Sequence, residues 1–453
     1  VNIALLVVLA GLMHATRSFS VGDEPGTAGT SLALGYLLVS GHFAGHQAQR
    51  LRLPKLTGYL VTGLLVGPAV LGLISTRMLE SLELVNGMAV AMIALTAGTE
   101  LELNRLRPLA RTVAAITVIG VLGTACLLAL AAWLVRPLLP FLATMEPARA
   151  AIVVCVLGIV MAAQSPAVVV ALRDELRADG PVTRAALGVV VLADLVVILV
   201  FAVLSTITKV AFGASADVSR TLMMLAWEIL GSVIAGLLIG GVLIVYLRKV
   251  KEGTALFLLA VTFIMAEVGG RLGLDPLLLA LASGALVRNA SNVADELHEE
   301  LQVSALPVYV LFFCVAGATL HVEALALVWM PATLFIVVRA AGLLAGARLG
   351  AGLAGAPSVV QRYVGFGLLP QAGLALALSM LFARTFPEFG AEAGALTMSV
   401  VALNELLAPV AYRWAIERSG EAGAESPRPS HDHATEPVGP EKRPPFIDPI
   451  AGP

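Results

Sequence analysis

The stretch Ala185–Leu204 is long enough to cross a bilayer and apolar throughout, except for one carboxylate near its middle, Asp194. A charge at membrane depth is costly and rare. It marks an ion or proton path more often than a structural pair, a role that apolar packing fills at lower cost. Similar apolar runs of about 20 residues recur along the chain. Hydrophobic residues make up 58% of it and charged residues 13%, against about 25% charged in soluble domains; the mean hydropathy is +0.91. The expected class is an all-α polytopic membrane protein. A formal net charge of −2 gives no footing for a nucleic-acid partner. Cys126, Cys155 and Cys314 all lie inside apolar runs, so neither a disulfide framework nor a metal framework is expected from them.

The runs predict about 13–14 spans. They are Val1–Met13, Thr30–Gln49, Leu53–Ile74, Leu84–Leu103, Leu109–Leu139, Ala148–Leu172, Val182–Ala211, Leu222–Leu247, Thr254–Leu272, Pro276–Val287, Val303–Val322, Leu327–Leu349, Val359–Phe386 and Ala391–Ile416. The first is short, and no basic segment precedes it, so no cleavable signal peptide is expected. Pro276–Val287 is short for a crossing and is expected to tilt. From Ser419 to Pro453 the chain is rich in Pro, Gly, Glu and His with no apolar period; it reads as a disordered tail in which His431 and His433 are solvated. Basic residues gather in alternate loops: Arg50, Arg52 and Lys55; Arg105, Arg107 and Arg111; Arg173, Arg177 and Arg184; Arg248, Lys249 and Lys251. By the positive-inside rule that face is cytoplasmic, the C-terminus with it, in a bacterial-type inner (plasma) membrane.

Short echoes suggest an internal repeat. Ala97-Gly98-Thr99-Glu100-Leu101 answers Ala316-Gly317-Ala318-Thr319-Leu320, and Gly63-Leu64-Leu65-Val66 answers Gly284-Ala285-Leu286-Val287. The span with Gln164-Ser165-Pro166 answers the one with Pro370-Gln371-Ala372-Gly373, and the region of Asp194 answers that of Asn404-Glu405. The copies lie about 210–220 residues, or seven spans, apart, and an odd number reverses their direction across the membrane. The expected organisation is an extra N-terminal helix and loop (1–29), a first inverted repeat (30–211), a linker helix (212–253), a second inverted repeat (254–418) and the tail (419–453).

Paired interruptions in apolar spans point to a transport site, because unwound backbone frees carbonyls and half-helix termini at mid-depth. For one such span a proline kink is the simpler reading. A symmetric pair near an intramembrane Asp favours a site built on Gln164, Ser165, Pro166, Pro370, Gln371 and Gly373. Arg339 lies too deep in its span to snorkel. It requires a carboxylate, a carbonyl or water, and suits either holding a half-helix terminus or replacing a cation in an empty site. Glu405, with Asn404 before it, is a possible additional member or a structural polar group. Glu228 and Glu267 also fall in apolar runs; Glu267 is one helical turn from Arg271 and reads as an i,i+4 pair.

These segments resemble the monovalent cation:proton antiporter-2 family, the Kef-type transporters of the sodium/proton exchanger superfamily. Leu53-Pro54-Lys55-Leu56-Thr57-Gly58-Tyr59-Leu60 through Gly67-Pro68 resembles its first core helix, and Gly98-Thr99-Glu100-Leu101 its G-x-E-L segment. Phe312-Phe313-Cys314-Val315-Ala316-Gly317 resembles its F-F-x-x-x-G, and Pro370-Gln371-Ala372-Gly373 its second crossing helix. The resemblance implies a core with two crossed, broken helices and a panel forming a homodimer interface. It also implies that Asp194 is the ion- and proton-binding aspartate and Arg339 its basic partner. Two departures stand out. Ala193 occupies a position that the family usually fills with Asp, Asn or Gln, and no G-x-G-x-x-G follows the last span, so no dinucleotide or other cofactor is expected. The resulting reading is a transporter, not an enzyme, exchanging protons for Na⁺ or K⁺. A gated potassium-efflux-type channel and an organic-anion transporter on the same scaffold are the rivals.

Overall fold

Every regular element among the described residues is helical. The computed structural model describes residues 30–212, 218–250, 253–320, 322–386 and 389–424, together with residues 8 and 11. The expected span Val1–Met13 lies almost wholly outside the described residues, as does the tail beyond residue 424 with His431 and His433. The helices are α1 (Thr30–Arg50), α2 (Lys55–Val66), α3 (Glu83–Glu100) and α4 (Arg107–Leu134), then α5 (Pro147–Ala162) and α6 (Pro166–Leu176), two halves of one crossing. There follow α7 (Pro181–Ala211), α8 (Val218–Lys249), α9 (Thr254–Leu272), α10 (Pro276–Ala290), α11 (Ala294–Ala318) and α12 (Val322–Leu353). A second interrupted crossing comprises α13 (Ser358–Tyr363), a 3-10 turn at Val364–Leu368 and α14 (Gly373–Thr385), and α15 (Gly390–Ser419) comes last.

Among the described residues, seven helices are long and apolar enough to cross a membrane, and five shorter apolar helices of 10–17 residues accompany them. The chain is a polytopic membrane protein. Several runs expected as full spans are these shorter helices. Leu53–Ile74 stops at Val66, because Gly67 precedes Pro68 and takes an extended backbone (ψ 176°) rather than a helical one. Val359–Phe386 is broken between Leu368 and Gly373. In α12 the backbone kinks at Val328, three residues before Pro331, whose ring and missing N–H disturb the preceding turn.

Small residues set how closely the interior helices approach. A Cβ on Gly63 would overlap the Cys314 carbonyl, and one on Gly317 the Leu60 carbonyl, so α2 and α11 meet backbone to backbone. Gly98 and Gly284 do the same for α3 and α10, facing the carbonyls of Leu281 and Leu95. Such contacts are the usual source of helix adhesion where lipid removes the hydrophobic drive. On α7, one face is buried through Val190, Asp194, Val197 and Phe201, while Leu199, Val203 and Ile207 are exposed at four-residue spacing. Asp194 therefore falls on the inward stripe.

One end of the bundle carries the basic loops. There the Lys55 N–H donates to both carboxylate oxygens of Glu175 at 3.0 Å, at the start of α2 and the end of α6. The far end of α15 reaches the same face: Arg413 Nη1 lies 3.7 Å from Glu175 and donates to the Leu53 carbonyl at 2.9 Å.

Candidate functional site

The two interrupted crossings meet at their breaks, and Arg339 joins them. Its side chain, from the middle of α12, is fully buried. Nε donates to the Met161 carbonyl at 2.7 Å and Nη2 to the Ala163 carbonyl at 2.9 Å, both at the C-terminal end of α5. Nη1 donates to the Leu369 carbonyl at 2.7 Å and Nη2 to the Leu368 carbonyl at 3.4 Å, at the end of the 3-10 turn after α13. The last carbonyls of a helix lack intrahelical partners and carry its negative pole. One planar guanidinium thus satisfies two such ends that approach from opposite sides of the bundle. All four of these bonds go to main-chain carbonyls. Of the two tasks the sequence suggested for Arg339, the structure places it at the helix ends, and at both of them.

Side-chain amides complete the junction. Gln371 Nε2 donates to the Met161 carbonyl at 3.0 Å, and its Oε1 accepts from Asn404 Nδ2 at 2.9 Å. The bond to Gln371 fixes α15 against the second break, and Asn404 also donates within its own helix to Val400 O at 3.2 Å. Pro370 lies in the gap before α14 and cannot donate a backbone N–H; Gly373 starts that helix. In the first break Gln164 Nε2 donates to the Ala162 carbonyl at 3.0 Å, while its buried Oε1 has no partner. Ser165 caps α6, its hydroxyl accepting from the Val168 N–H at 3.4 Å, with Pro166 at the first helical position.

Asp194 is 5% exposed, and its Oδ1 has no hydrogen-bond partner. It forms a wall shared by two cavities, each of about 40 Å³, room for about three waters. One cavity contains Gln164, Ser165 and Pro166 of the first break, Phe312 of α11 and Leu374 at the start of α14. Asp194 therefore shares space with the N-terminal ends of α6 and α14, where the helix dipole favours negative charge. Arg339 occupies the negative half-helix ends and Asp194 the cavity beside the positive ones. The other cavity lies between α7, α8 and α10 and contains Glu228 and Asp275 besides Asp194.

The sequence-predicted residues Gln164, Ser165, Pro166, Pro370, Gln371, Gly373, Arg339 and Asn404 come together at the breaks, with Asp194 beside them. Glu405 is 2% exposed, with neither carboxylate oxygen partnered, but it lines neither cavity. Glu267 forms the expected pair with Arg271 at 2.5 Å on the exterior. Asp275 escaped the sequence reading. The available signal was Asp275-Pro276 at the head of a helix too short to span, where Asp275 caps the helix and lines a cavity. Among the described residues no three His, Cys, Asp or Glu side chains gather closely enough to hold a metal ion.

The transmembrane sodium/hydrogen exchanger family profile matches residues 33–416. The Na(+)/H(+)-K(+) antiporter GerN of Bacillus cereus is 25% identical over 360 residues, covering 76% of this chain and 85% of that protein. The iron transporter MagA of Paramagnetospirillum magneticum is 27% identical over 289 residues, covering 61% of this chain and 60% of that protein. Among solved structures, the sodium proton antiporter MjNhaP1 of Methanocaldococcus jannaschii at pH 8 superposes with a TM-score of 0.64 at 17% identity, covering 87% of this chain and 98% of that one. That likeness is one of fold.

Proposed function

Because the chain belongs to the sodium/hydrogen exchanger family, we propose that it is a secondary antiporter exchanging Na⁺ or K⁺ for protons by alternating access, with Asp194 the group for which cation and proton compete. The observation that carries this reading is a buried carboxylate with an unpartnered oxygen, between two cavities and level with two helix breaks. A single carboxylate binds a proton or a monovalent cation, never both, and that exclusion couples the two fluxes. The named activity of GerN supports carrying both Na⁺ and K⁺ forward. The iron named for MagA is not carried over, since the described residues offer no three-ligand cluster. An organic anion is disfavoured because the Arg339 fork is committed to four main-chain carbonyls. The coupled exchange expected of a single competing carboxylate argues against an open channel.

Within the family we place the chain with the Kef-type transporters, on the segments quoted above. The two-repeat organisation at 30–211 and 254–418 is part of the proposal. Its support is reciprocal packing: Gly63 of the first half meets the helix of Gly317, and Gly284 of the second meets that of Gly98. This is the arrangement a pseudo-twofold axis produces. We further propose a homodimer in the inner (plasma) membrane, with the basic loops and the C-terminus cytoplasmic. Exchange is proposed to be one-for-one: Ala193 leaves Asp194 without a carboxylate beside it in the chain, Glu267 is paired outside the cavities, Glu405 lines neither of them, and Glu228 and Asp275 are part-exposed rather than buried with Asp194.

Purified protein in liposomes carrying a pH dye tests the reading. Na⁺ or K⁺ gradients should drive proton movement and choline should not; absence of a cation-dependent response in all salts overturns it. Solid-supported-membrane recordings test the ratio. A sustained cation-dependent current that reverses with the gradient overturns one-for-one exchange.

A further inference from the structure

Asp194 is not the only acidic group in its second cavity. Glu228 projects from α8 and Asp275 stands at the head of α10, and both line the same space as the buried Asp194 side chain. Glu228 and Asp275 are part-exposed, whereas Asp194 is buried. The accessible part of the cavity therefore carries two carboxylates and its inner wall the third. The lining contains no Lys, Arg or His; its remaining side chains are aliphatic. The site is built. The Asp275 N–H donates to Ser232 Oγ at 2.8 Å, and Asp275 Oδ1 accepts from the Leu278 N–H at 2.9 Å, which pins the head of α10 to α8. Trp227, next to Glu228, donates from Nε1 to the Leu272 carbonyl at 2.9 Å and closes the same corner. Because no three carboxylates gather tightly among the described residues, the arrangement suits successive contacts with a monovalent cation rather than one coordination sphere for a divalent one.

We propose that Glu228 and Asp275 form a cation-gathering station in the cavity that ends on Asp194, serving the bundle face opposite the basic loops. This rests on the antiporter reading above. Carboxylates in a narrow, low-dielectric cleft focus the field and raise the local cation concentration before the ion reaches the buried site. The chain direction places the station at that face. Asp275 joins α9 and α10, whose other ends, at Thr254 and Ala290, lie toward the basic loops. The cavity wall between Asp275 and Asp194 includes Leu277, Leu278 and Leu281 of α10, so movement of α7 against α10 would change access between the station and Asp194.

The test is sided transport by oriented protein in liposomes, comparing wild type, Asp194→Asn and the double variant Glu228→Gln/Asp275→Asn. Asn is as good an N-cap as Asp, so the head of α10 keeps its cap. The half-saturating Na⁺ or K⁺ concentration of the double variant should rise about fivefold, equivalent to about 1 kcal/mol, when the cation is supplied at the face opposite the basic loops. When it is supplied at the basic-loop face, the rise should stay under about twofold, because the gathering field acts only locally. A rise under twofold on both faces, with exchange intact, overturns the station. An equal rise on both faces does so too, since a general loosening of the fold has no side. The wild type gives an independent readout if the double variant does not fold: raising choline chloride should raise the half-saturating cation concentration at the station face, and a flat response overturns the proposal. Loss of exchange in Asp194→Asn with unaltered kinetics in the double variant removes the station and leaves the antiporter reading standing. Absence of exchange in the wild type removes both.

Discussion

The acidic side chains at the basic-loop end of the bundle and those at its centre are treated in opposite ways. At the end they are tied. Asp174 lies 3.4 Å from Arg173 and accepts from the Tyr309 hydroxyl at 3.0 Å, joining α6 to α11. Asp179 takes a two-pronged bond from Arg184 at 2.9 and 2.7 Å. Glu421, just past α15 and 5% exposed, accepts from the Val182 and Thr183 N–H groups at 2.6 and 2.8 Å and from the Thr183 hydroxyl at 2.6 Å, capping the helix that carries Asp194. At the centre, Asp194 Oδ1 and both oxygens of Glu405 have no partner. Burial alone does not separate the groups, since Glu421 and Asp194 are equally buried. Partnership does. A satisfied carboxylate holds helices together, whereas an unsatisfied one beside a cavity retains capacity for an incoming ion.

The substitution with the largest expected effect acts at the centre. Asp194→Asn keeps the shape of the side chain but cannot cycle a proton, so cation-driven proton movement should fall to the leak of protein-free liposomes, with the melting temperature little changed. Full exchange by the purified variant would break the contrast. Arg339→Ala comes next: it leaves the Ala163, Leu368 and Leu369 carbonyls without its donors, while Met161 keeps Gln371, and should cost about 3–5 kcal/mol of stability at about 1–3 kcal/mol for each buried polar group left unsatisfied. Arg339→Lys should lose less, because the charge stays while the fork geometry goes. Thermal unfolding in detergent, followed by tryptophan fluorescence, would rank the two, and equal melting temperatures would remove Arg339 from the junction. At the tied end, Glu421→Ala should cost about 2 kcal/mol, the range for hydrogen bonds to a charged acceptor at a helix N-terminus. It should leave exchange within about twofold of wild type, as expected for a group that stabilises without touching the ion; complete loss of transport would mean that the two ends are not divided as described. Tyr309→Phe is the smallest, about 1 kcal/mol for one hydroxyl, and a change in cation preference on its removal would place the α6–α11 contact in the transport site instead.

Much of the site was legible before folding was considered. Asp194 and Arg339 stand out because each is a charge in a long apolar run, and the breaks at Gln164-Ser165-Pro166 and Pro370-Gln371-Ala372-Gly373 because proline interrupts a helix wherever it falls. The Glu267–Arg271 pair was readable from spacing alone, since four residues make one helical turn. Asp275 was not readable in this way. It occupies a Gly273-Leu274-Asp275-Pro276 turn that looks like any surface loop, and only the shortness of α10 and its packing against α8 take it to a cavity. Glu228 was visible in its apolar run, but its neighbours were not.

The sequence by itself determined the membrane class, the approximate order of the apolar helices and the two paired breaks, because these follow from local terms: transfer of apolar residues from water, backbone hydrogen bonds closed within one helix, and the missing N–H of proline. It did not determine where Lys55–Val66 ends or that the helix with Arg339 kinks at Val328. Tertiary structure decided what each charged group faces. Arg339 reaches a carbonyl 178 positions away in the chain, Glu421 caps a helix 239 positions before it, and Gly63 admits the backbone of Cys314. Contacts of that kind exist only once the helices have packed. In lipid, packing is set by which small residues allow close approach and which polar groups find partners, neither of which a single stretch of sequence contains.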